Sequence, residues 1–412
     1  MMRKFFQFCN RLKPSHLLAV SFLLFIFYTA LAPLPQFLIH TGNSFRWGFS
    51  LGNYIETIDD QYHGMLETGG LLPTMQDKGT YINLNGFMAN LLDQKMMNER
   101  VKLKNGHLSA VVETPYASED IEAVADNLAA LSLKQTEQGK HFLFVMSPSQ
   151  INKYEDLLPE GYTDVTNATA DQLLALLEQR GVACLDLRQK LVEDGISHEE
   201  AFYKTDHHWA PKTGFWAYTK MLEKLEQLGA IEAVDSFYTA EENFDFTVYP
   251  VSFLGSSGKR TGIYYAGLDD STFIAPKFDT DIYLNIDALG IDNRGRYEEV
   301  VYNTWDGIAP EDEDYFNYNS YGLFGWGDQP HSQWRNEGAP MNQKLILIGD
   351  SFGNIPYSLM SLYFRSCDEL DMRYFPHDFP SYYAQYNPDI VILEVNVDQS
   401  VAENTQYPFF PE

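Results

Sequence analysis

Two short segments hold residues whose types and spacing can do chemistry. The first is Tyr203-Lys204-Thr205-Asp206-His207-His208-Trp209, just ahead of Pro211. On extended backbone, a carboxylate two residues before an imidazole can reach its Nδ1–H. That contact fixes the tautomer and leaves Nε2 free as a base. Alternation along such a chain aims His207 the other way, which makes it the weaker base. The second segment is Ile346-Leu347-Ile348-Gly349-Asp350-Ser351-Phe352. It sets a hydroxyl at the tip of an apolar strand where a helix begins, beside N–H groups that can stabilise an oxyanion. Each segment alone has a plainer reading. A serine in that position often only caps the helix, and Asp-His-His fits a metal cluster or a satisfied surface turn. No second His/Glu group at helical spacing accompanies it, so no metal site is assigned. Nor is there a Gly-rich phosphate cradle, and no cofactor is expected.

Alternating elements must position these segments. Ser118 is expected to cap a helix whose apolar face is Ile121, Val124, Ala125, Leu128 and Leu131, stopped near Gly139. His141 to Met146 is a continuous apolar run, as in a strand covered on both faces. A helix over 167–180, a strand over 182–187 and a helix from Pro211 to Leu228 follow. Near the C-terminus the pattern gives strands over 344–348, 369–374 and 389–395, with helices over 352–364 and 379–385. Such alternation implies right-handed crossovers and a mostly parallel sheet between helical layers, with chemistry at the carboxyl ends of the strands. Residues 230–340 interrupt it. They are rich in Tyr, Asp, Gly and Asn, with β-like runs at 247–253 and 281–286, and read as an inserted β-rich subdomain overhanging the sheet.

The chain of 412 residues carries 29 Lys and Arg against 57 Asp and Glu, a net charge of −28 that repels nucleic acid. Three cysteines, Cys9, Cys184 and Cys367, cannot build a disulfide framework. Cys184 and Cys367 can pair, although buried thiols are the commoner state of such positions. Arg3, Lys4, Arg11 and Lys13 precede an uncharged run from Leu17 to Leu34, which spans roughly 27 Å as a helix against a bilayer core of about 30 Å. This predicts an uncleaved anchor with the N-terminus in the cytoplasm and the rest of the chain outside. The rival is a signal peptide cut after Ala30-Leu31-Ala32, although Pro33 would follow the cut. The expected organisation is a cytoplasmic segment 1–16, an anchor 17–38, an irregular membrane-proximal connector 39–104 and a catalytic domain 105–412 holding the insertion at 230–340.

The stretch YKTDHHWAPKTGFWAY (203–218), followed by GDSF (349–352), resembles the DHHW branch of the SGNH-hydrolase-like superfamily, akin to the alginate-type polysaccharide O-acetyltransferases. SPSQINKY (147–154), Phe253 to Gly258, Asp371 to Phe375 and PDIVILEV (388–395) match in order. The resemblance spans roughly residues 105–400 and implies a three-layer α/β/α fold. It implies Ser351 as nucleophile, His208 as general base and Asp206 as its orienter, with the Asp-x-His pair ahead of the serine. A GxND block is absent, so the oxyanion donors beyond the Ser351 backbone stay open. Trp209 reads as a sugar platform or as packing under the site, and Arg373 as a substrate contact or a structural ion pair; His207 and Tyr203 are further candidate contacts. The implied activity is O-acylation of a cell-surface or exported polysaccharide, with acyl groups delivered by a multi-span membrane acyltransferase. A carbohydrate esterase with the same triad and an inactive glycan-binding scaffold are the alternatives.

Overall fold

The computed structural model describes residues 78–303 and 314–410. Contacts divide the chain into residues 1–82 and 83–412, and of the first unit only 78–82 are described. Among the described residues, no helix is long and apolar enough to cross a membrane. The run 17–34 expected to do so, and Cys9, lie outside them.

In chain order the elements are α1 (Lys78–Leu91), the small antiparallel sheet β1 (Met96–Met97), β2 (Arg100–Lys102) and β3 (Leu108–Ser109), then α2 (Ser118–Thr136), β4 (His141–Ser147), α3 (Thr166–Gln179) and β5 (Cys184–Asp186). Next come α4 (Leu187–Glu193), α5 (His198–Ala201), α6 (Pro211–Gln227), β6 (Phe244–Phe253), α7 (Ser256–Thr261), α8 (Ile263–Ala266), β7 (Asp269–Pro276), β8 (Ile282–Ile286), β9 (Ile291–Gly295) and α9 (Tyr297–Val301). The last are β10 (His331–Arg335), β11 (Met341–Gly349), α10 (Asn354–Tyr363), β12 (Phe364–Leu370), α11 (Phe379–Tyr386), β13 (Ile390–Asn396) and α12 (Glu403–Gln406).

Eight strands form the main sheet in the order β5-β4-β13-β11-β12-β10-β8-β9. The first five are parallel; β10, β8 and β9 continue the sheet antiparallel. Side chains alternate between two cores, as period two requires. Leu143, Val145, Leu345, Leu347, Ile390 and Ile392 face α6 and α10, whereas Phe144, Met146, Ile346, Ile348, Val391 and Leu393 face α2, α3 and α11. The three-layer expectation therefore holds, with a mixed sheet.

Four expectations change. The insertion does not overhang as a separate subdomain: β8, β9 and β10 extend the main sheet, and β6 with β7 makes a two-stranded ribbon. The strand expected over 369–374 lies over 364–370, because its buried Asp368 and Glu369 disguise it as polar. Ser118 is the first helical residue rather than the cap, a place taken by Ala117 without a side-chain bond. The described part of the connector is regular, holding α1, β1 and β2. Cys184 and Cys367 are both free thiols.

Packing of α6 on α10 sets the height of the segment that carries Ser351. Gly214 of α6 allows it: a Cβ there would stand 2.7 Å from Ile355 Cγ2 and 2.8 Å from Ile355 Cβ. Alanine would improve helix propensity by about 1 kcal/mol, but a contact this close to an atom fixed to the backbone costs about 2–3 kcal/mol, the upper part of the overpacking range. Gly214→Ala is therefore expected to lower stability by about 1–2 kcal/mol, read as a lower urea midpoint at unchanged slope. An unchanged or higher midpoint would contradict this packing.

Candidate active site

The segment 203–208 is a tight loop, closed by a bridge between Phe202 and Trp209 and by the Tyr203 N–H donating to the His208 carbonyl at 3.3 Å. Asp206 is buried within it. Its Oδ1 accepts from the His208 N–H at 3.1 Å and pairs with His208 Nδ1 at 2.6 Å; Oδ2 accepts from the Ser256 N–H at 2.6 Å. Burial pushes this carboxyl up, yet His208, His207 and these hydrogen bonds outweigh it and hold Asp206 well below the ordinary range. With Nδ1–H committed to Asp206, His208 Nε2 is left for Ser351 Oγ, 2.7 Å away. The structure thus brings Ser351, His208 and Asp206 into one hydrogen-bonded chain.

Ser351 stands where β11 ends. Asp350 turns the chain by accepting from the Phe352 N–H at 2.9 Å, and a short 3₁₀ turn over Ser351–Gly353 leads into α10. Asp350 Oδ2 also takes the Asn396 N–H at 3.2 Å, tying the turn to β13.

The loop rests on residues that the motifs did not single out. Gln150 Nε2 donates to the Tyr203 carbonyl at 2.5 Å and the Asp206 carbonyl at 2.7 Å. Asp269 accepts from the Lys204 and Thr205 N–H groups, each at 2.8 Å. Gly255 lies against Asp206, where a Cβ would stand 2.6 Å from Asp206 Oδ2 and collide with Asp206 Cβ. Tyr321 stacks on His208 at 3.8 Å between centroids and 11° between planes, and its hydroxyl donates to the Ser351 carbonyl at 2.9 Å. Gln150 and Gly255 lie in segments 147–154 and 253–258 noted above; nothing in the tyrosine-rich insertion marks Tyr321.

The remaining candidates fall differently. His207 does not point away from His208, because the backbone is a loop and not a strand. The two rings lie 3.8 Å apart, and His207 Nδ1 is 3.0 Å from Ser256 Oγ with 46% of the side chain exposed. Trp209 is fully buried with its ring against Phe352, so it packs under the site and is no sugar platform. Tyr203 is likewise buried, edge-on to Phe253. Arg373 follows β12 in a turn and is held by Asp371 at 2.6 Å and Asp328 at 2.9 Å, the structural ion pair. Ligand atoms of Asp206, His207 and His208 lie within 4.8 Å of one another, but a metal there would compete with Asp206 and Ser351 for both His208 nitrogens.

Under the nucleophile, carboxyls crowd the carboxyl ends of the central strands. Burial raises Asp350 to about 6 and Glu369 to about 8, and pushes Glu394 far up, with the Asp350 charge adding to it. Neither Glu394 oxygen has a hydrogen-bond partner among the described residues. Glu369 and Glu394 avoid the cost of a buried charge by keeping their protons.

Residues 108–243 match the family described as SGNH hydrolase-like domain, acetyltransferase AlgX. The matched segment carries Asp206 and His208, and its similarity agrees with the resemblance that the motifs suggested. Among solved structures, Bacillus cereus PatB1 with a sulfonyl adduct is similar at 17% identity and TM-score 0.62, covering 76% of this chain and 99% of that one. A DHHW family protein from Eubacterium siraeum is similar at 17% identity and TM-score 0.56, covering 76% and 95%. No curated protein matches by sequence.

The raised Glu369 predicts a pH dependence. An unfolded glutamate titrates near 4.3, so from there to about 8 the unfolded chain has released a proton that the native state retains. This group's contribution is full below the unfolded value and is lost as pH rises to about 8. Glu369→Gln keeps the acceptor for Trp334 Nε1 and should raise stability relative to the native chain at pH 8 more than at pH 4, by urea unfolding at both. An equal effect at both pH values would show that Glu369 is ionised in the fold.

Proposed function

We propose that the protein is a membrane-anchored, extracytoplasmic O-acetyltransferase acting on a cell-surface or exported polysaccharide. The observation that carries this is the Ser351–His208–Asp206 chain, whose Asp206 and His208 lie in the segment 108–243 that is similar to an acetyltransferase family. Ser351 Oγ attacks the donor's acyl carbonyl while His208 Nε2 takes its proton. The tetrahedral intermediate collapses to acyl-Ser351, and His208 returns the proton to the leaving group. A sugar hydroxyl then gives its proton to His208 and attacks the acyl carbon; Ser351 leaves and recovers the proton. Asp206 stabilises the imidazolium in both halves.

The anchor supports transfer over hydrolysis. It holds the domain at the bilayer, where a multi-span acyltransferase can supply acyl groups and tethering raises effective concentration. The charge of −28 opposes an anionic nucleotide donor.

Ser351→Ala and His208→Ala should each lower acetyl transfer and activated-ester cleavage by about 10³-fold or more, and the double variant should cost little beyond either single one. A sulfonyl fluoride, prompted by the PatB1 adduct, should label Ser351 and fail on Ser351→Ala. Wild-type turnover by Ser351→Ala would remove the assigned nucleophile. The deciding assay supplies an acetyl donor and an oligosaccharide acceptor together. Acetylated sugar is the expected product; rapid acetate release from a natively acetylated glycan, without acetylated sugar, would instead mark an esterase.

A further inference from the structure

Outside the site, the strongest unexplained feature is the outer face of α1. Leu84, Phe87, Met88 and Leu91 recur at helical spacing, and with Leu92 they are 44–66% exposed. Tyr264, 62% exposed, extends the patch through an edge contact with Phe87 at 6.4 Å. Residues 79–92 carry no charge in a chain of net −28. Large apolar side chains grouped on one face signal an interaction surface.

The face is also held firmly. Gly86 and Ala89 turn inward, the Gly86 backbone lying against the Thr261 carbonyl and Ala89 joining the small core of Met97, Leu108, Tyr265 and Ala266. The Ile263 N–H donates to Asn83 Oδ1 at 2.7 Å, and the Tyr265 hydroxyl to the Gln94 carbonyl at 2.8 Å. The support, α7, has two ends with different tasks. Thr261 touches α1, and Ser256 contacts Asp206 and His207. Its six residues span only about 9 Å, so α7 ties the inward side of α1 closely to the Asp206 loop.

We propose that the Leu84–Leu92 face of α1, with Tyr264, seats on the outer surface of a lipid bilayer and holds the Ser351 mouth at the lipid–water boundary. The inference rests on the anchored reading above, since a chain tethered through residues 17–34 meets a bilayer before any other apolar partner. A net charge of −28 sets the mode of contact. Anionic headgroups repel such a protein, so the seat works by insertion of apolar side chains, as in an interfacial helix. A donor carried in the membrane then reaches Ser351 without leaving the interface.

The test uses the full chain in vesicles of phosphatidylcholine with 20% phosphatidylglycerol, as on the order of natural anionic content. A fluorophore is placed on Met88→Cys or, as control, Leu133→Cys, with Cys9 and Cys184 changed to Ser. Leu133 is exposed near the end of α2 that feeds β4, at the amino ends of the parallel strands, whereas Ser351 follows the carboxyl end of β11. Lipids brominated in their acyl chains should quench the label at 88 several-fold more than at 133, with little change when phosphatidylglycerol is omitted. A label at 88 open to aqueous iodide but untouched by bromine overturns the proposal. Shielding from both quenchers also overturns it, because a second copy or another protein then covers the face. If the chain does not float with vesicles, the anchored reading falls and this seat with it; flotation without quenching at 88 removes the seat alone. None of these readouts depends on turnover, so each is separable from the assignment of Ser351.

Discussion

The site depends on one buried carboxylate kept ionised. Asp206 is buried, where an unpaired charge would be costly, and it remains charged because three donors converge on its two oxygens. Those donors come from its own loop and from Ser256, fifty residues away. The second segment must approach within hydrogen-bond distance, and only a residue without Cβ permits that at 255. Gln150, from the loop after β4, and Asp269, at the start of β7, then saturate the loop's backbone. Remove the charge on Asp206 and these contacts lose the reason for their arrangement.

The acids beneath the site behave oppositely. Asp206 gathers donors and is pulled down, whereas Glu394 and Glu369 find few and are pushed up. The same low-dielectric layer thus contains one carboxylate fit to stabilise an imidazolium and two carboxylic acids that add no competing negative charge under the nucleophile. Tyr321 separates these regimes, stacked on His208 above and donating to the Ser351 carbonyl beside it.

How much of this could be read beforehand follows from the range of each interaction. The Asp206–His208 bond spans two residues and the Gly349–Phe352 turn four, so local pattern reveals both. Helices α2, α3 and α6 bury one face and show it as period. By contrast, α1 turns its apolar face outward and buries only Gly86 and Ala89, so its pattern resembled an irregular connector. Strand β12 contains Asp368 and Glu369, acceptable in a core only because Arg335, His331 and Trp334 from β10 meet them. Pairing of that kind leaves no mark in either strand alone. The edge at which β8–β10 join the sheet is equally silent, since antiparallel strands announce alternation but not a neighbour.

Strand order has a consequence for how the parts of the site are joined. β13 is the last strand in sequence, yet it lies between β4 and β11 in the middle of the sheet. Without it, the β5–β4 pair, whose following loop carries Gln150, and the strands that carry Ser351 share no strand–strand ladder. With it, Asn396 closes on Asp350 at the nucleophile turn. The ladder that joins β4 to β11, and with it the Asn396 clasp on the nucleophile turn, is therefore supplied by the last strand of the chain order.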